Sequence, residues 1–189
     1  MQADLVCEAA EGGGDSASAY TLSSLCLERR RAELLALVDV LASADAATIE
    51  NAHASVERLR PPTLCTDPSA LTRELSAAPL PADRRLAADV WSLRDQLATV
   101  RFLESSGRYD EGVKLIQAIE VDGVKVGDPA MLAEILLQKA KLLDRKLMLA
   151  EADAALLAAL VSAERSEHDM LRAQAMVFRI ELIGHLASR

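Results

Sequence analysis

The chain is short of the residues that usually build a large core or a reactive site. Only 3% of its 189 residues are aromatic, so Leu, Ala, Val and Ile must fill the interior. Ala and Leu are strong helix formers, which points to an all-α fold. No apolar run reaches the roughly 18 residues of a membrane span. The opening segment, Met1 to Glu8, lacks the basic start and apolar stretch of a signal peptide. Cysteine is scarce and odd in number: Cys7, Cys26 and Cys65 have no paired Cys-x-x-Cys spacing, which suits reduced thiols in a cytoplasm. Cations are outnumbered, 21 against 29 acidic residues, for a net charge of −8. That balance argues against generic binding to nucleic acid or to an anionic membrane, although a local basic strip could still act.

What remains is helical punctuation. Glu11 to Ser16, with three consecutive glycines, reads as a flexible break. A first helix is expected over about 22–41, with Leu27, Leu34, Val38 and Leu41 as its apolar positions and Arg29, Arg30 and Glu33 in solvent. Ser43 or Asp45 caps a second helix with Ile49, Ala52, Val56 and Leu59 on one face, and Pro61-Pro62 stops it. Asp67-Pro68 opens a short helix through Leu75, and Pro79 and Pro81 mark a joint. This divides the chain into a flexible segment over 1–19, a helical region over 20–80 and helical repeats over 81–189.

The last region is regular. A helix over about 82–106 carries Leu86, Val90, Leu93, Leu97, Val100 and Leu103; its partner, from Tyr109 to Val126, carries Val113, Ile116, Ile119 and Val124. Gly127 ends that helix, and Asp128-Pro129 opens the next, to Arg145. Another is expected over 149–165, and Ser166 to Asp169 reads as a capping box for a last helix to Ala187. The turn Gly107-Arg108-Tyr109-Asp110-Glu111-Gly112 has the grammar of a tetratricopeptide repeat, with Gly107 free to adopt a left-handed conformation and Gly112 small enough for close helix approach. Ala152 stands forty residues after Gly112 in the equivalent place. The fold expected is a set of helical hairpins packed as a short tetratricopeptide-like right-handed solenoid of about two and a half pairs. Its last helix lacks a partner of its own, leaving Ala175, Phe178 and Leu182 uncovered, as in a truncated array.

Taken together, Val6-Cys7-Glu8-Ala9, Leu25-Cys26-Leu27-Glu28-Arg29-Arg30, Ala32-Glu33-Leu34, Leu37 to Leu41, Ala44-Asp45-Ala46, Cys65 and the Gly107 turn carry a resemblance. The whole chain resembles the region after the catalytic domain in bacterial serine/threonine protein kinases of myxobacterial type with tetratricopeptide tails. The resemblance implies a cytoplasmic signalling protein whose kinase domain lies upstream of Met1 or has been lost, and a region that recruits or senses partners. The chain itself departs from the kinase pattern: it has no His-Arg-Asp loop, Asp-Phe-Gly, Ala-Pro-Glu or Gly-rich nucleotide loop. No catalytic role is expected.

Enzymatic and metal alternatives are thin. Cys26 or Cys65 beside His53 is the sharpest nucleophile pair, though no third orienting group accompanies it, and Cys7, Cys26, Cys65 and His53 make a conceivable zinc set drawn from scattered elements. His168 and His185 lie too far apart along one helix to share a metal. No cofactor is expected. Glu28-Arg29-Arg30-Arg31 could grip phosphates or an acidic partner, but such a run more often is a solvated face. Trp91 is expected to pack between helices.

Counting from the repeat turns, Arg94, Leu97, Arg101 and Glu104 of the first pair and Glu134, Leu137, Lys141 and Arg145 of the second should line a concave face. Four cations there would favour an acidic peptide, with the two leucines supplying apolar contact. The function expected is therefore protein–protein interaction. The rivals are a structural role, in which the terminal helix packs on a missing domain or a second copy, and, less well supported, the sensor arm of a transcription regulator.

Overall fold

The computed structural model describes residues 14–77 and 80–187. All regular structure among them is helical. An N-terminal group holds α1 (Gly14–Ala42), α2 (Ala46–Glu50), α3 (Ala52–Glu57), a 3-10 turn (Pro62–Cys65) and α4 (Pro68–Ala77). Five longer helices follow: α5 (Arg84–Ser105), α6 (Tyr109–Val126), α7 (Pro129–Arg145), α8 (Leu149–Arg165) and α9 (Asp169–Ala187). Each of these five packs on its neighbour in sequence, α5 also meets α7, α7 also meets α9, and α1 lies against α5.

The five long helices begin and end close to where the sequence places them. Asp83 and Asp128 accept from the backbone N–H groups of Leu86 and Met131, satisfying donors that a helix start leaves open. Asp67 does the same for Ser69 and Ala70, and Asp45, not Ser43, caps α2 through Thr48. Backbone and side-chain donation from Thr48 holds the Asp45 carboxyl below its usual pKa. Gly127 closes α6 in the left-handed region. Gly112 is a site of close approach: a Cβ there would lie 2.9 Å from Leu142 and 3.7 Å from Leu103. Leu142 is fully buried and has little room to yield. Ala152 is likewise fully buried.

Three turns share one geometry. Arg108, Met148 and His168 donate to the carbonyls of Leu103, Leu143 and Ala163, while Gly107, Leu147 and Glu167 donate to Glu104, Asp144 and Glu164. This is the Schellman arrangement, and its left-handed residue is Gly107, Leu147 or Glu167 in turn. Ser166 to Asp169 is therefore not a capping box: Ser166 closes α8, and the His168 ring accepts from the Leu171 N–H at the start of α9.

The N-terminal group departs further from expectation. α1 already includes Gly14 to Ala19, part of the segment expected to be flexible; residues 1–13, with Cys7 and the first two glycines, lie outside the described residues, as does Pro79. The buried stripe of α1 is Cys26, Arg30, Leu37 and Val40, so Leu34 and Val38 face outward and Arg30 is buried, paired with Glu33 at 2.5 Å. The second expected helix breaks at Asn51. Ile49 (68% exposed) and Val56 (49%) point to solvent, while Thr48 and Ser55 are fully buried. The reason is polar: Thr48 Oγ1 bonds Asp45, and Ser55 Oγ shares a hydrogen bond with Ser105 Oγ of α5 at 3.0 Å. Val124 is also exposed. Ala175 and Leu182 are buried and Phe178 packs beside them against α7 and α8; the exposed apolar side of α9 is instead Met170, Met176, Val177, Ile180 and Ile183.

Cys26 and Cys65 form a disulfide, and both are buried with Leu71. This overturns the reduced-thiol expectation and, with it, the thiol argument for a cytoplasmic location. No described helix is long and apolar enough to cross a membrane. The bond closes a loop of sequence separation 39, for which chain entropy predicts a stabilisation of about 4 kcal/mol. Under reducing conditions the urea midpoint should fall accordingly, whereas Cys26→Ala/Cys65→Ala should show the same lowered midpoint with or without reductant.

Candidate functional site

Two buried carboxylates, Glu104 and Glu134, organise the contact between α5 and α7. Glu134 of α7 and Arg94 of α5 are 7% and 8% exposed. Arg94 donates to Glu134 Oε1 through Nε at 3.1 Å and Nη2 at 2.7 Å. Arg101, two turns along α5, reaches the other oxygen at 3.7 Å. Glu104 accepts from Gln138 at 2.8 Å and has Arg58 and Arg145 within 3.6 and 3.7 Å. Arg94 and Glu134 are forty residues apart, the spacing that also separates the left-handed residues Gly107 and Leu147 of the first two turns.

Beside this network lies a cavity of about 460 Å³. Its cations are Arg29, Arg58, Arg60, Arg101 and Lys141, and its carboxylates Glu33 and Glu134. The shortest bonds of those carboxylates go to Arg30 and Arg94, neither of which lines the cavity. Lys141 makes no ion pair or side-chain hydrogen bond among the described residues. Burial lowers the pKa of Lys141, Arg101 and Arg29. Attraction to carboxylates opposes it, from Glu104 on Lys141 and from Glu134 and Glu33 on Arg101 and Arg29. Neighbouring cations lower each further: Arg101 and Arg58 act on Lys141, Arg60 and Arg94 on Arg101, and Arg94 and Arg101 on Arg29. Leu137, Phe102 and Leu171 supply the apolar part of the lining.

Of the eight residues that register places on the groove, four line this cavity: Arg101, Glu134, Leu137 and Lys141. Leu97 does not; it is fully buried among Val90, Val100 and Ile116, because its side of α5 faces α6 and not the groove. Arg94 is committed to Glu134, and Glu104 is buried under its partners. Arg145 stands at the end of α7, outside the lining. The sequence reading missed Arg29, Arg58 and Arg60 as groove residues, since they come from the N-terminal group; only the Glu28–Arg31 run hinted at them. Trp91 is half-buried beside Arg29 and Ala32, at the α1–α5 contact.

The disulfide removes Cys26 and Cys65 as nucleophiles or zinc ligands, and His53 is exposed beside Glu57 at 3.1 Å. Among the described residues no cluster of His, Cys, Asp and Glu is arranged to hold a metal. No protein-family model matches the chain, and no curated protein and no solved structure matches it.

Breaking the central pair leaves a buried charge alone. Glu134→Gln should cost about 3–5 kcal/mol, whereas Arg94→Met/Glu134→Leu should recover most of that loss. Urea denaturation of the two variants decides it; equal losses would mean that the pair sets no buried-charge constraint.

Proposed function

We propose that the chain is a non-catalytic protein-interaction segment, and that its basic groove takes an acidic stretch of a partner protein. The observation that carries this reading is the convergence of five cations on one cavity in a chain of net charge −8. Long-range repulsion from such a chain disfavours an extended polyanion, while a short acidic segment can use the local field. The forty-residue correspondence and the shared turns support a tetratricopeptide-like solenoid over α5–α9. The kinase-tail resemblance supports a recruiting or regulatory role. Neither names the partner.

The test is fluorescence anisotropy with the full chain and two labelled probes at low salt: hexaglutamate and an alanine–glycine peptide bearing one phosphoserine. Saturable binding of either probe, weakened by sodium chloride and by Arg101→Glu, is expected. Failure of both probes to bind sinks the acidic-segment reading.

A second reading, self-association through the terminal helix, is favoured by one observation: Met176, Ile180 and Ile183 form an exposed apolar stripe on α9. On that reading light scattering gives a dimer that Ile180→Lys converts to a monomer. A monomer at all concentrations excludes it.

A further inference from the structure

The groove's charge is dense as well as positive. Its volume of about 460 Å³ falls in the range of small-ligand pockets, so charge and not space selects what enters. Five cations stand against Glu33 and Glu134 of the lining and Glu104, which pairs with Arg58 beneath it, a formal excess of two; Glu33 and Glu134 also hold arginines that lie off the lining. A glutamate side chain brings a single charge, so a carboxylate ligand matches that excess only with two side chains. One phosphomonoester delivers about −1.5 to −2 charge and three acceptor oxygens in a single group. Arginine's planar fork matches phosphate oxygens in pairs, and a lysine serves as the point charge beside them.

The placement of the donors suits such a group. Arg101 and Lys141 come from the first helices of the two successive pairs, Arg58 from the end of α3 and Arg29 from α1, so the cations approach from separate elements. Lys141 is the member with no protein acceptor among the described residues. Phe102, the aromatic side chain of this cavity's lining, is 4% exposed and offers no face on which a base could stack, which favours a phosphorylated side chain over a nucleotide. We infer that the groove recognises a phosphorylated residue on the partner protein, with Arg29, Arg58, Arg101 and Lys141 around the phosphoryl group. This rests on the acidic-segment reading and narrows its ligand.

The test compares three labelled peptides on the full chain: Gly-Gly-Ala-phosphoserine-Ala-Gly-Gly, the same peptide with glutamate in place of phosphoserine, and hexaglutamate. The phosphopeptide should bind at least about tenfold tighter than either carboxylate probe. Lys141→Gln and Arg58→Gln should each weaken it several-fold, with thermal melts showing both variants folded. Inorganic phosphate should displace the peptide; no displacement overturns recognition of the phosphoryl group itself. Equal affinity for phosphopeptide and hexaglutamate overturns the phosphate inference and leaves the acidic groove standing. No binding by any probe overturns both. Phosphopeptide binding that neither variant alters puts the site elsewhere and likewise overturns both.

Discussion

Arg94 and Glu134 form the contact on which the concave side depends. Each stands at the groove-facing position of the first helix in its pair, and each is removed from water by the other. A lone charge in that place would cost several kcal/mol, so neither residue is tolerable without its partner. The pair also fixes which sides of α5 and α7 meet, because a guanidinium fork bonding one carboxylate allows few relative rotations. Leu97, Val100 and Ile116 can then close over the opposite side of α5. Arg101 and Lys141, further along the same two helices, are left around the cavity.

The N-terminal group completes that cavity. Without α1 and the segment after α3, the concave side would carry only Arg101 and Lys141 of its five cations. The Cys26–Cys65 disulfide joins the α1 element that carries Arg29 to the turn that follows Arg58 and Arg60. Apolar burial also holds this group to α5, through Ala36, Leu37, Val40 and the partly buried Leu59 against Ala98, Phe102 and Leu103. The bond, with Leu71 and the half-buried Leu27 around it, ties the far part of α1 to the 3-10 turn, away from that contact.

The sequence was most legible where several local signals agreed. Over α5 and α7 the apolar stripe, an aspartate start and a glycine or basic end point to the same boundaries, and over α6 and α8 an acidic first turn takes the place of the aspartate cap; the structure keeps all four. α1 offered no such agreement. Leucine, alanine and valine occur around its whole circumference, so Leu34 and Val38 looked as suitable for burial as Leu37 and Val40, and only contact with α5 selects between them. The burial of Thr48 and Ser55 was invisible for a related reason: hydroxyls enter a helix contact only when an acceptor waits there, and Ser105 lies fifty residues away. The groove was half legible. Register alone brings Arg101, Glu134, Leu137 and Lys141 to one side, but a periodicity argument cannot reach across to Arg29, Arg58 and Arg60. An odd cysteine count concealed the disulfide, since three cysteines allow three pairings and spacing alone selects none of them.

The three Schellman turns carry a consequence for how such turns are recognised in a sequence. Gly107 adopts its left-handed conformation at no steric cost, but Leu147 and Glu167 hold the same backbone shape with a Cβ present. The helices on either side therefore impose the turn, and glycine merely eases it. Residue identity at that position thus differs among the three turns while the backbone path is the same. A search for glycine alone would find one of these turns and pass over the two that fold without it.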